Sequence, residues 1–347
     1  MSFWKFMLCI IIPVTLAVVT IAFYVLGKVK LKRALRPIEY YPPRGYSPID
    51  VMIKYYSHRC SPRNVINPLM LYWASRGLIT IEEDCKRGLK LTKLKDITPS
   101  DEARSVKGKQ IKENYKAEKQ LFNDLFSDGP VLYTLAAPAS FKNVHKKFTD
   151  GCKENAKKGR TLLTTWLSGL GLMFAVLSLL LVTIINGTTY HDEIYIAMLF
   201  PIIAIILFKA IPNEDALTTI IKYPFICVWG GAPFAAVLSF VTAESALLLG
   251  IAAACSLVTV WFSQRIDIRS DRDLEIYGRI CAFKQFLIDA EKDQLETLIE
   301  ENPNYYYDIL PFCYVLKITE KLKEKFDRIT TDGPSWYLGE LRDTLMF

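Results

Sequence analysis

Residues 6–27, "FMLCIIIPVTLAVVTIAFYVLG", carry no charged side chain over 22 positions, and "KVKLKR" (28–33) follows at once. A helix of about 20 apolar residues crosses the hydrocarbon core of a bilayer, where every backbone polar group must find its partner inside the segment. Four more apolar runs follow at 162–185, 194–211, 223–241 and 245–262, the third of them broken by Gly230, Gly231 and Pro233. The first run is too long for the core of a signal peptide, and its basic cluster follows instead of preceding it, so it reads as a retained anchor. The expected class is therefore an α-helical integral membrane protein with five spans.

Lys and Arg segregate with these runs. Lys28 to Arg36, Lys157 to Arg160, Lys209, Lys222 and Arg265 fall on one side of the implied membrane, and the loops 186–193 and 242–244 contain neither residue. By the positive-inside rule the N-terminus lies outside and the large segments and C-terminus are cytoplasmic, in a multi-pass protein of the cell membrane. No Asp, Glu, Arg or His lies within a span, whereas transport pathways are usually marked by such groups. Ala246, Gly250 and Ala254 recur every four residues, as do Gly231 and Ala235. That spacing predicts close packing of spans four and five.

The overall charge of +7 conceals two opposed soluble segments. Residues 28–161 hold 28 Lys and Arg against 14 Asp and Glu, and residues 264–347 hold 12 against 17. Tethering to the same helices raises their effective concentration, so the acidic segment is expected to dock on the basic one through contacts that weaken with salt. The basic charge also adjoins the anionic inner leaflet, worth about 1 kcal/mol per Lys or Arg near the surface. The candidate lipid contacts are Lys28, Lys30, Lys32, Arg33, Lys157, Lys158 and Arg160.

Ser47, Pro48 and Asp50 set up a capped helix over 47–56. A second helix over 61–77 ends at Gly77, with Pro68 either kinking it or following Asn67 as its cap. "LITIEE" (78–83) and "LKLTKL" (89–94) alternate about the turn "DCKRG" and pair as a hairpin. Helix, helix, hairpin is a winged-helix-like order. A reading helix needs side chains for base edges and phosphates, and this one offers Arg63, Asn64 and Arg76 among apolar neighbours. Nucleic acid is thus the weaker partner; a lipid surface and an unidentified protein are favoured. Residues 97–161 read as a second, smaller winged module: a Lys-rich helix with "LFNDLF" (121–126), a strand at 131–135, and a helix presenting Phe141, Val144 and Phe148.

The C-terminal segment is helical through 273–326, with Ile276, Ile280, Phe283 and Leu287 in one stripe. Asn302-Pro303 stops one helix and starts the next. There Tyr306, Leu310 and Cys313 face inward, Tyr305 lies one position round, and Pro311 introduces a kink. The eight cysteines show neither CxxC pairs nor zinc-ligand spacing, so they read as reduced structural thiols and no metal or cofactor is expected. The histidines, His58, His145 and His191, lack Ser, Cys or acidic partners at motif spacing, and no catalytic residue is assigned.

"YGRICAFKQFLIDAEKDQLETLIEENPNYYYDILPFCYVLKI" (277–318) resembles the signature of the predicted bacterial membrane proteins named after YciQ, a family of unknown function. Gly278 through Cys313 follow its pattern, departing at Phe312-Cys313 where Tyr-Ala is common. "YYPPRGYSPIDV" (40–51) and "GPSWY" (333–337) are similar to further family segments. Members usually carry an extracytoplasmic β domain before the first span; this sequence opens at that span, so the resemblance implies a member without one. It implies no catalytic residues.

The resulting division is 1–27 first span, 28–96 cytoplasmic winged-helix-like α+β module, 97–161 second module, 162–263 four spans and 264–347 C-terminal all-α module. The expected function is a non-enzymatic interaction scaffold or signalling adaptor. The alternatives are a transporter or channel component and a membrane-tethered DNA-binding regulator.

Overall fold

The computed structural model describes residues 3–35, 37–57, 66–84, 86, 88–97, 109–127, 129–134, 148, 150–151, 162–187, 199–200, 202–204, 206, 224, 228–236, 238–239, 241–326 and 334–338. The chain forms two compact units, residues 1–32 with 161–269 and residues 33–160 with 270–347.

The first unit is built on three helices: α1 (Phe3–Arg33), α5 (Leu162–Gly187) and α6 (Ala243–Ser263). Stretches of two described helices, Phe6–Arg33 and Ala243–Ser263, are long and apolar enough to cross a membrane. The expected spans over 194–211 and 223–241 lie largely outside the described residues.

Helices α5 and α6 run antiparallel: Thr164 exchanges hydrogen bonds with Ile268, its Oγ1 donating to the carbonyl at 2.8 Å, and Ser256 Oγ donates to the Ala175 carbonyl at 3.0 Å. Buried Ser245, Leu249, Ala252, Ser256, Thr259 and Ser263 make the inner stripe of α6 at alternating spacings of four and three. That is the spacing of a supercoiling seam. The expected ridge of Ala246, Gly250 and Ala254 is not this seam. Ala254 is exposed, and a Cβ added at Gly250 or at Gly231 would meet open space. The hydroxyl-bearing stripe prevails because it supplies polar contacts as well as small size. Its closest approach lies at Gly171, packed onto Ser263.

The second unit holds α2 (Pro48–Tyr56), α3 (Ile66–Ser75), β1 (Ile79–Asp84), β2 (Gly88–Lys93), α4 (Lys109–Leu125), β3 (Val131–Tyr133), α7 (Asp271–Asp289), α8 (Lys292–Glu301), α9 (Tyr305–Leu316), α10 (Thr319–Phe326) and β4 (Tyr337–Leu338). The capping box of α2 forms as expected, Ser47 Oγ accepting from the Asp50 N–H and the Asp50 carboxylate from the Ser47 N–H. Gly77 ends the α3 segment at φ 67°, where a Cβ would be strained. Pro68 falls in the first turn of α3, which has no need of its N–H, as in the alternative of a helix that starts near it; residues 61–65 of the expected helix lie outside the described residues.

The hairpin pairs Ile79 with Lys93 through Asp84 with Gly88, and β3 adds antiparallel to β2. β4 joins β1 in parallel, giving the order β3-β2-β1-β4. The helix expected around Phe141 and Val144 lies outside the described residues; Phe148, at its end, is buried.

One hydrophobic cluster fills this unit, running from Tyr46 through Trp73, Phe122 and Phe283 to Tyr337. The acidic and basic segments therefore meet through a common core, more than through the electrostatic docking that their charges suggested. Two ion pairs border it: Lys54 Nζ to Asp273 Oδ1 at 2.6 Å and Arg279 Nε to Glu39 Oε1 at 2.9 Å. The second runs against the net charges of the segments. Both pairs are partly buried, Lys54 and Asp273 more than Arg279 and Glu39.

At its centre is α9. Tyr305, Tyr306 and Tyr307 are all buried, with Leu310 and Cys313. Tyr305, expected to be the more peripheral position, is fully enclosed; its hydroxyl donates to the Tyr40 carbonyl at 2.7 Å and its ring meets Tyr41 edge-on. The single-stripe reading fails here because α9 has neighbours on several sides, α2, α3, α8 and α10 among them. A helix apolar all round is a central helix.

Candidate functional site

Lys28, Lys30, Lys32 and Arg33 occupy the last turns of α1 and are exposed. At 100° per residue they fall at about 0°, 200°, 40° and 140° round the axis. They form a collar, not a face. A collar suits a surface that surrounds the helix, as a plane of headgroups does. Lys157, Lys158 and Arg160, read from sequence as belonging with them, lie outside the described residues.

Below the collar, Lys28 Nζ lies 5.8 Å from the Tyr24 ring centroid, and Tyr24 packs edge-on against Phe262 of α6 at 5.0 Å. The end of α6 repeats the pattern. The Arg265 guanidinium stacks 3.4 Å from the Trp261 ring centroid and donates to the Trp261 carbonyl. Aromatic residue and cation are four apart in both places, one helical turn apart in α1 and across the turn that ends α6. Tyr and Trp beneath Lys and Arg are the composition of a membrane–water interface. This repeat was legible in the sequence and was missed, because each half looks ordinary alone.

The same end of this unit carries a buried ion pair. Arg269 Nη2 donates to Asp267 Oδ2 at 2.8 Å, and Nε reaches both carboxylate oxygens. Beside it a Cβ at Gly27 would stand 3.0 Å from the Asp267 carbonyl oxygen, so α1 approaches this turn more closely than a larger residue permits. The start of α5 and the ends of α1 and α6 thus gather in one place.

In the second unit the most unusual titratable group is Glu118. Trp73 Nε1 donates to its Oε1 at 2.8 Å, and Asp50, Ser47 and Arg76 also act on it. Burial is the main cause that pushes its carboxyl up to about 7; Asp50 adds to the rise, and the hydrogen bonds from Trp73 and Ser47 oppose it. Glu118 sits in the apolar stripe of α4, three and four residues before Leu121 and Phe122 and three after Tyr115. An acid in a core stripe is the signal that sequence reasoning passed over.

A carboxyl whose folded pKa exceeds its ordinary value of about 4.5 binds more protons folded than unfolded between those two values. Stability is expected to fall as pH rises from about 4.5 to about 7, by about 3 kcal/mol in all. Glu118→Gln keeps an acceptor for Trp73 and should flatten that slope. Unfolding midpoints of the solubilised chain at pH 5 and pH 8 test this; an unchanged slope in the variant would exclude Glu118 as its source.

With the geometry in view, the class is a membrane-associated protein joined to a mixed α+β body. The chain belongs to the DUF2207 family: the family described as "Predicted membrane protein (DUF2207) C-terminal domain" matches residues 37–326. No curated protein and no solved structure matches the chain.

Proposed function

We propose that this chain is a non-enzymatic scaffold or signalling adaptor at the cytoplasmic face of a bacterial membrane, crossed several times, in keeping with the likeness to the YciQ-named proteins. The observation that carries the reading is the common core of the second unit. Segments from either side of the membrane helices close into one body with a filled interior, suited to presenting a fixed surface to a partner. The collar Lys28, Lys30, Lys32 and Arg33, with Lys157, Lys158 and Arg160, would hold that body to anionic lipid. Orientation follows from the positive-inside rule applied to the end where the collar and Arg265 gather.

The DNA-binding alternative loses support from the placement of α3. In a helix–helix–hairpin reader this helix presents side chains to the groove. Here Ile66, Pro68, Leu69, Met70, Leu71, Trp73 and Ala74 are buried, Tyr72 meets Phe312 edge-on, and Trp73 meets Phe122. Of the residues that reading would use, Arg63 and Asn64 lie outside the described residues and Arg76 is exposed at the end of the helix. Within the membrane unit, the hydroxyl of Ser256 bonds the neighbouring helix and those of Thr259 and Ser263 bond their own, which favours the packing reading of this stripe.

Affinity purification of the tagged full chain from gently solubilised membranes tests the proposal. A protein retained at constant stoichiometry is the expected result. Substrate-dependent flux by the purified chain in proteoliposomes, with no such partner, would replace the scaffold reading by the transporter one.

A further inference from the structure

Immediately beyond the collar, "ALRPIEYYPP" (34–43) presents an apolar pair to solvent: Leu35 is 55% exposed and Ile38 64%. Neither is loosely carried. The next residues are pinned to the second unit, Glu39 by the Arg279 guanidinium, Tyr40 by its ring against Phe286 and by the Tyr305 hydroxyl on its carbonyl, and Tyr41 by its ring against Tyr305. The faces of Tyr40 and Tyr41 away from these anchors also remain exposed. Ordering four large apolar or aromatic groups in water has a cost that a covering surface recovers.

Chain continuity identifies what covers them. Leu35 follows the last residue of α1 by two, and five residues of extended chain reach at most about 18 Å, so Ile38 stays near the end of an apolar helix of membrane-crossing length. The 22 apolar residues of 6–27 span about 33 Å as helix, close to the hydrocarbon thickness, and the next six add about 9 Å, the depth of a headgroup layer. The stretch therefore begins at the water side of the headgroup layer, and the reach of about 18 Å lets it fold back to the acyl boundary. Its composition, two aliphatic residues and two tyrosines directly after an exposed Arg33, is that of segments lying in the interface plane of an anionic membrane.

We infer that Leu35 and Ile38, flanked by Tyr40 and Tyr41, insert into the headgroup–acyl boundary of the bilayer that α1 crosses, seating the second unit on the membrane surface. This rests on the membrane reading of α1. It adds an apolar contact to the cationic one of the collar.

The test places the photoreactive residue p-benzoylphenylalanine at single positions of the full chain, reconstituted in vesicles of equal parts phosphatidylcholine and phosphatidylglycerol. Illumination of Ile38→p-benzoylphenylalanine is expected to give lipid adducts several-fold above those at Leu94, an apolar residue of the same unit that is 54% exposed. Val18, exposed midway along α1, reports whether that helix is in the bilayer. Lipid adducts at 18 without an excess at 38 over 94 would overturn the inference and spare the membrane reading, as would protein adducts alone at 38. Absence of lipid adducts at 18 would overturn both.

Discussion

Tyr305→Ala is expected to destabilise the second unit by about 3–5 kcal/mol, the usual range for emptying a large aromatic site in a core. Tyr305 has no exposed surface and contacts Tyr41, and its hydroxyl satisfies the Tyr40 carbonyl. The substitution therefore removes packing and leaves a carbonyl short of its donor. Tyr305→Phe separates the two effects and should cost about 1 kcal/mol, the net worth of one hydrogen bond. Tyr306→Ala should cost less than Tyr305→Ala, since Tyr306 retains some exposure and packs against Phe326 near the end of α10. Denaturant unfolding of the solubilised chain provides the comparison. Equal midpoints for wild type and Tyr305→Ala would show that α9 is not the centre of this core.

The second large effect belongs to the membrane unit. A Cβ at Gly171 would overlap Ser263 Cβ and lie 2.8 Å from its Oγ. Rotation of the serine cannot relieve the first overlap, because Cβ is fixed by the backbone. Gly171→Ala must then separate α5 from α6 or bend one of them, with an overpacking cost of about 1–3 kcal/mol. Ser263→Gly removes both overlapping atoms. The double variant should recover most of the loss, and the cycle isolates the coupling between the two sites. Thermal inactivation in micelles is a suitable readout; additive effects in the double variant would disprove the contact.

Local signals in this chain were legible where one or two residues decide the geometry. Ser47, Pro48 and Asp50 specify a helix start by hydrogen bonds within four residues, and Gly77 specifies a helix end by φ alone. The hairpin register follows from alternation about a short turn. What sequence did not reveal depends on which surfaces meet. The seam of α6 and the ridge read from sequence differ by a single position round one helix, and composition favours neither until α5 supplies the Ala175 carbonyl and Gly171. Tyr305 looked peripheral because helical periodicity assumes one partner face, and α9 has several. The opposed charges of 28–161 and 264–347 pointed to their union but not to its nature, since a shared core has no charge signature. Of the collar, only the α1 half lies within the described residues; its aromatic underpinning at Tyr24 and Trp261 emerged when the two helix ends were seen side by side.

Each compact unit is assembled from two stretches of chain, and the helix α9 that fills the second one belongs to the later stretch. On the ribosome, residues 33–160 emerge without it. At about 5–20 residues per second, roughly seven to thirty seconds pass before α9 follows. Throughout that interval the sides of α2 and α3 against which α9 packs lack their native cover. The nascent chain must keep them from aggregating until α9 arrives, which makes the order of synthesis a constraint on the biogenesis of this protein and gives chaperones a defined target: the sides of α2 and α3 against which α9 later packs.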